Sequence, residues 1–277
     1  MINANTRVCC VIGNPINHSL SPLLHNTGYR ALAIDNKFVY TAFNVKASEL
    51  EQAVNAFRVF GIKGISVTIP HKIEIVKFLD SIDDAAKKIG AVNTIINYDG
   101  KLTGTNTDYL GIFNPLNKVV TLENKKVAIL GSGGASRAAI YAMKNANAKV
   151  TIFNRTIHKA EELANEFDVC AESLINKDKI KDFDIVINCT SLGLKVEDKP
   201  VLLARDMHSK QVVFDSIYNQ YETALLKEAK AAGARTLHGV EMFLEQGMEQ
   251  FKLYTGQEAP KTIIKETLFK HFGWRND

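Results

Sequence analysis

Through about residue 110, apolar and β-branched positions gather in short runs, Val8 to Gly13, Phe38 to Val45, Gly64 to Ile69 and Ala91 to Tyr98, of the length and composition of buried strands. Between them the apolar spacing turns helical, from Pro22 to about Leu32, Ser48 to Phe60 and around Ile73 to Leu79, with Pro70 as a start signal ahead of the last. Asp99-Gly100 marks a turn, and the pattern pauses near Pro115. A second series follows: Val127 to Leu130, Lys149 to Phe153, Ile185 to Asn188, Val212 to Asp215 and a weaker Arg235 to Leu237. Five short strands with helices between them predict a doubly wound parallel sheet. From Glu241 the chain reads mainly as helix, with Met242, Phe243, Phe251 and Leu253 offering apolar contacts. The expected fold is α/β in two domains, the second doubly wound.

The chain has 277 residues, ample for two domains of ordinary size. Hydrophobic residues at 46% and charged residues at 23% exclude a disordered, collagen-like or coiled-coil chain. Lys and Arg number 34 against 30 Asp and Glu, a net +4 spread without a basic run, so no nucleic-acid partner is expected. The longest apolar runs fall far short of the roughly 20 residues a membrane span needs. The amino terminus carries no apolar stretch of signal-peptide length. Cysteines at 9, 10, 170 and 189 suggest neither a disulfide framework nor a zinc site, so a cytoplasmic protein without a metal is expected. No feature marks self-association; monomer and homodimer both stay open.

Chemistry enters most clearly at Lys126-Val-Ala-Ile-Leu130 followed by Gly131-Ser132-Gly133-Gly134-Ala135-Ser136, a hydrophobic strand entering a glycine turn and then a helix. Gly131 and Gly133 permit a tight turn and close approach to a pyrophosphate, whose charge the unpaired N–H groups of the helix start favour. This is the pattern of a Rossmann-like dinucleotide site, with Ser136 at the third glycine position. At the end of the next strand, where NAD sites offer a carboxylate, the chain has Asn154-Arg155-Thr156, with Lys159 one turn later. A guanidinium suits a 2′-phosphate, so NADP is expected over NAD. The plain alternative for Arg155 is a solvated surface residue.

Earlier in the chain, His18-Ser19-Leu-Ser21-Pro22 sets two hydroxyls beside a helix start, which suits a carboxylate, although taken alone the pattern reads as a helix cap. Ser66-Val-Thr68-Ile-Pro70-His71-Lys72 delivers a lysine to a helix start, where the dipole prefers anions; solvation is its plain alternative. Gly104-Thr-Asn106-Thr-Asp108 adds a carboxylate, and a Lys72/Asp108 pair would suit carbonyl chemistry. Neither His25, His158, His208, His238 nor His271 shows ligand spacing, and His18 and His71 are expected to shape loops.

Together these residues resemble the shikimate dehydrogenase family over nearly the whole chain. Gly13 to Pro22, Ser66 to Lys72, Gly90-Ala-Val-Asn-Thr94, Thr105-Asn-Thr-Asp108, the glycine turn and Asn154-Arg-Thr156 recur in family order. The resemblance implies reversible reduction of 3-dehydroshikimate to shikimate by NADPH, a step toward chorismate and the aromatic amino acids. It implies that Ser19 and Ser21 bind the substrate carboxylate, that Thr68, Asn93, Tyr218 and Gln246 hold the ring hydroxyls, and that Lys72 and Asp108 flank the reacting oxygen. For the cofactor it implies Gly131, Ser132, Gly133, Gly134 and Ala135 at the pyrophosphate. Asn154, Arg155, Thr156 and Lys159 would lie at the 2′-phosphate, with Thr190, Ser216 and Gly239 nearer the nicotinamide. It also implies a substrate domain of residues 1–113 completed by helices over 241–277, an NADP-binding domain over 114–240, and an active site in the cleft.

Several positions depart from the family pattern: Leu194, Ser216, Tyr109 after Asp108, Asn219-Gln220, and Glu241-Met-Phe243. They bear on nicotinamide packing more than on substrate. Two other functions compete. A quinate/shikimate dehydrogenase using NAD would favour an acidic residue where Arg155 stands, and a binding protein that senses NADPH without turnover would have no need of Lys72 with Asp108.

Overall fold

In the computed structural model, which describes residues 2–274, contacts divide the chain into two units. One comprises the residues up to Thr107 together with those from Gln246 onward; the other is Asp108–Glu245.

The first unit holds β1 (Arg7–Gly13), α1 (Ser21–Ala31), β2 (Phe38–Asn44), α2 (Leu50–Val59), β3 (Gly64–Val67), β4 (Ser81–Ile82), α3 (Asp84–Ile89), β5 (Thr94–Tyr98) and β6 (Lys101–Thr105). They form one sheet in the order β2-β1-β3-β5-β6-β4. β1 pairs parallel with β2 and β3, while β5 runs antiparallel to β3 and to β6. The unbroken apolar run of β1 follows from burial on both faces. Cys10 and Ile12 pack with Val54, Phe57, Ile65 and Ile95 on one side, and Cys9 and Val11 with Tyr29, Tyr40, Phe251 and Tyr254 on the other. Gly64 is where Tyr254 lies against the strand, and a Cβ there would collide with the ring.

The second unit opens with α4 (Asp108–Asn117) and continues through β7 (Lys126–Leu130), α5 (Gly134–Asn145), β8 (Lys149–Asn154), α6 (Ile157–Phe167), β9 (Cys170–Ser173), β10 (Ile185–Asn188), β11 (Val212–Asp215), α7 (Ala224–Ala231) and β12 (Arg235–Leu237). Its strands are all parallel, in the order β12-β11-β10-β7-β8-β9, which reverses direction between β7 and β10. That is the doubly wound arrangement, whose ligands lie at the carboxyl ends of the strands flanking the reversal. Two helices complete the chain: α8 (Gly239–Thr255), which the division between units crosses after Glu245, and α9 (Lys261–Phe272).

Several expectations about elements need correction. The segment 73–79 is a five-residue 3-10 helix, Glu74–Phe78, so Lys72 sits in the turn before it rather than at the start of an α-helix. β3 stops at Val67 and β5 starts only at Thr94, leaving Thr68 to Lys72 and Ala91 to Asn93 as loops. The pause near Pro115 is not a break, because α4 runs through it for two further residues, although proline there forgoes the backbone bond to the carbonyl four residues earlier. β4, α3, β6 and β9 were not predicted, and β9 makes the second sheet six-stranded.

Candidate active site

In the first unit the carboxyl ends of β1, β3 and β6 and the amino end of β5 share one sheet edge, and hydrogen bonds tie their loops together. Asn14 donates its N–H to Ile69 O (3.0 Å), Thr68 to Ile12 O (2.9 Å), and Val92 to Lys72 O (2.8 Å). Asn93 accepts from Val67 N–H (2.7 Å) and donates to Thr105 O (3.2 Å). Five of the predicted site residues lie at this one edge: Ser19, Thr68, Lys72 and Asn93 on its loops and Ser21 at the first position of α1. Lys72 and Thr68 are half-buried, whereas Asn93 is buried.

Local chemistry explains the loop shapes. α1 starts without a side-chain cap; Ser19 Oγ instead accepts from Ser21 N–H at 3.3 Å, a short hydroxyl turn of the kind serine supports. His71 is buried, its Nε2 lying 2.7 Å from the carbonyl of Val45. A carbonyl only accepts, so Nε2 carries the proton, and the ring staples the loop before Lys72 to the end of β2. The Asn93 side chain accepts at Oδ1 from Thr107 N–H (2.8 Å) and Thr94 Oγ1 (2.7 Å) and donates through Nδ2 to Thr107 Oγ1 (3.0 Å). Gln246 stands where α8 enters this unit, half-buried.

In the second unit, Asp108 is buried at the first position of α4, where a carboxylate suits the helix dipole. Tyr109 beside it makes an edge-to-face contact with Tyr141, ring centroids 5.2 Å apart, so this departure from the family pattern is a packing residue. The glycine turn lies at the end of β7. Gly131 has φ +106°, a conformation that calls for glycine, and a Cβ there would also lie a tight 3.2 Å from Cys189 O. Gly133 precedes α5 with open space around it, and the first amides of that helix, from Gly134 and Ala135, have no partners within the helix. These residues fit a pyrophosphate. Ser136, wholly buried, sits beneath the turn and is small enough to replace the third glycine.

At the end of β8, Asn154 Nδ2 donates to Thr156 O (2.9 Å), shaping the turn that exposes Arg155; Lys159 is exposed on the first turn of α6. Neither cation has an ion-pair partner among the described residues, in contrast to Arg137, whose guanidinium grips both oxygens of Glu166 at 2.6 Å. The loops after β10 and β11 are joined beneath by two wholly buried side chains. Asn188 accepts from Thr190 N–H (3.1 Å) and Oγ1 (2.7 Å) and donates to Asp215 (2.9 Å), which also accepts from Thr223 Oγ1 (2.6 Å) and Ile217 N–H (3.1 Å). Burial pushes the Asp215 carboxyl up to about 6. Above this pair stand Thr190 and Ser216, both half-buried.

Asn219 and Gln220, which depart from the family pattern, use their amides to hold the carbonyls of Leu194 (2.7 Å) and Gly193 (2.6 Å). Tyr218 stacks on Phe243 at 4.5 Å. Gly239 is pressed on the backbone of Ile217, where a Cβ would collide. Residues that sequence reasoning did not single out are Thr94 and Gln250 around Asn93, and Asn188, Asp215 and Thr223 under the second pair of loops. All five are buried polar side chains, and only a short polar residue at the end of an apolar strand, as at Asn188 and Asp215, hinted at them.

The chain matches three family models: the shikimate dehydrogenase substrate binding domain over residues 11–95, shikimate / quinate 5-dehydrogenase over 116–215, and the shikimate 5′-dehydrogenase C-terminal domain over 239–269. It is 40% identical to the shikimate dehydrogenase (NADP(+)) of Methanobrevibacter smithii, over 98% of this chain and 99% of that one. A crystal structure of a shikimate dehydrogenase in complex with NADP+ superposes with TM-score 0.92 at 38% identity, covering 98% of this chain and 97% of the other. That of the Thermus thermophilus shikimate 5-dehydrogenase with NADP(H) and shikimate does so with TM-score 0.87 at 31% identity, covering 96% and 99%.

Proposed function

The chain belongs to the shikimate dehydrogenase family, and we propose that it catalyses the reversible reduction of 3-dehydroshikimate to shikimate with NADPH. The observation that carries this reading is the single sheet edge at which hydrogen-bonded loops and the start of α1 hold Ser19, Ser21, Thr68, Lys72 and Asn93: two hydroxyls for a carboxylate, a cation for an oxygen, an amide and a hydroxyl for ring hydroxyls. NADPH supplies the hydride when bound. Ser19 and Ser21 hold the substrate carboxylate, and Thr68, Asn93, Tyr218 and Gln246 the ring hydroxyls. Lys72 gives a proton to the carbonyl oxygen as it becomes a hydroxyl; the Asp108 carboxylate orients Lys72 and accepts a hydrogen bond from that hydroxyl. In reverse, Lys72 takes the proton back.

Gly131, Ser132, Gly133, Gly134 and Ala135 hold the pyrophosphate, and Thr190, Ser216 and Gly239 line the nicotinamide end. Asn154, Arg155, Thr156 and Lys159 hold the 2′-phosphate, the two exposed cations favouring NADP over NAD. The substrate domain is the amino-terminal part with the carboxyl-terminal helices, and the cofactor domain lies between. Four cysteines, two of them adjacent on β1, suit the reducing cytoplasm. Lys72→Ala tests the assignment: kcat for shikimate oxidation should fall about 10²- to 10⁴-fold while NADPH affinity, read by nicotinamide fluorescence, stays within twofold or so. A kcat close to the parent's would place the proton donor elsewhere.

A further inference from the structure

Beneath the loop that carries Asn93, a buried chain of hydrogen bonds crosses from β2 through β3 and α8 to the head of β5. The Tyr40 hydroxyl donates to Ser66 Oγ (2.6 Å), and Ser66 Oγ donates to Gln250 Oε1 (2.8 Å). Gln250 Nε2 donates to Thr94 Oγ1 (2.9 Å) and to the Asn93 carbonyl (3.2 Å), and Thr94 Oγ1 donates to Asn93 Oδ1 (2.7 Å). Ser66, Asn93, Thr94 and Gln250 are each no more than 4% exposed, so solvent is not an alternative partner.

The direction of each bond is set by its neighbour. An amide nitrogen can only donate, so the Thr94 hydroxyl accepts from Gln250 and keeps its own proton for Asn93 Oδ1, 2.7 Å away. Thr107 N–H meets the same oxygen at 2.8 Å. Turning the Asn93 amide over would set its N–H groups against both donors, which in a buried site leaves polar hydrogens unmatched.

We infer that Gln250 and Thr94 are positioning residues for Asn93, fixing its amide so that the nitrogen side, and not the oxygen, is turned to a substrate hydroxyl. This rests on the reading of Asn93 as a substrate-binding residue. Steady-state kinetics of Thr94→Val, Thr94→Ser, Gln250→Met and Asn93→Ala, with shikimate and NADP varied in turn, test it. Thr94→Val and Gln250→Met should each raise KM for shikimate about tenfold, the loss of one buried hydrogen bond, with kcat changed less and KM for NADP unmoved. Thr94→Ser, which keeps the hydroxyl, should restore the parent KM. If Thr94→Val fails to fold, Gln250→Met carries the same test. A raised KM in Asn93→Ala with no change in the Thr94 and Gln250 variants overturns the relay and leaves the site intact. An unchanged KM in Asn93→Ala overturns the site assignment itself, and the relay with it. Equal losses for shikimate and NADP, or no rescue by serine, would make these residues merely structural.

Discussion

His25 lies wholly buried on α1, stacked on Tyr40 at 4.1 Å and 3°, and burial drives its pKa from 6.5 down to about 3. Between those values the unfolded chain binds a proton that the folded chain refuses, so this group makes stability fall as pH drops from about 6.5 toward 3. Its slope is at most about 1.4 kcal/mol per pH unit. Asp215 works in the opposite sense. Burial raises its pKa from 3.8 to about 6, the folded chain holds the extra proton, and stability is lost as pH rises through that window. Over roughly pH 4 to 6 the two contributions therefore oppose each other. Chemical denaturation across this range should show His25→Phe gaining stability relative to the parent as pH falls, because only the Asp215 contribution remains. Asp215→Asn should show the reverse. Curves parallel to the parent's in both variants would mean that neither group titrates with folding.

Among the elements, the glycine turn and the loop after β8 can be probed without disturbing the sheet. Gly133 has open space around it and precedes α5 with extended backbone, a position where serine caps a helix well. Gly133→Ser should therefore keep or raise Tm while raising KM for NADPH, since the new side chain stands where the pyrophosphate approaches. A lowered Tm with unchanged KM would remove the turn from the cofactor site. Arg155→Asp should reduce the preference for NADP over NAD by roughly tenfold to a hundredfold, the worth of one charge-assisted contact. Unaltered selectivity in competing-cofactor assays would leave Arg155 a solvent residue.

These two elements were legible in the sequence because each joins an apolar strand to residues with unusual backbone or charge demands. Others were not, for physical reasons. β9 reads Cys-Ala-Glu-Ser, with no apolar alternation, and is held by parallel pairing to β8 alone. α3 is six residues long, too short for a period, although its Asp83 cap and left-handed Gly90 were visible signals. Pro115 looked like a break because proline usually is one. In the site, Ser19, Lys72 and Arg155 stood out because charge or hydroxyls sit where local structure does not ask for them. Gln250 did not, because its partners Ser66, Asn93 and Thr94 lie about 155 to 185 residues away in the chain.

On the scale of the whole chain, the insertion of Asp108–Glu245 between the two parts of the first unit explains why the carboxyl-terminal helices resemble the opening residues in role more than their sequence neighbours. Phe251 and Tyr254 complete a core begun by Cys9, Val11 and Tyr29. The family models match in the same three-part order. Among the described residues no helix is long and apolar enough to cross a membrane. The central claim is the pairing of one substrate with one cofactor. It is tested most directly by the reduced-nicotinamide absorbance of the purified protein given shikimate or quinate, each with NADP or NAD. Rapid reduction with shikimate and NADP, and little in the other three mixtures, is the predicted result. Turnover of quinate with NAD in its place, or silence in all four while NADPH still binds, would contradict it.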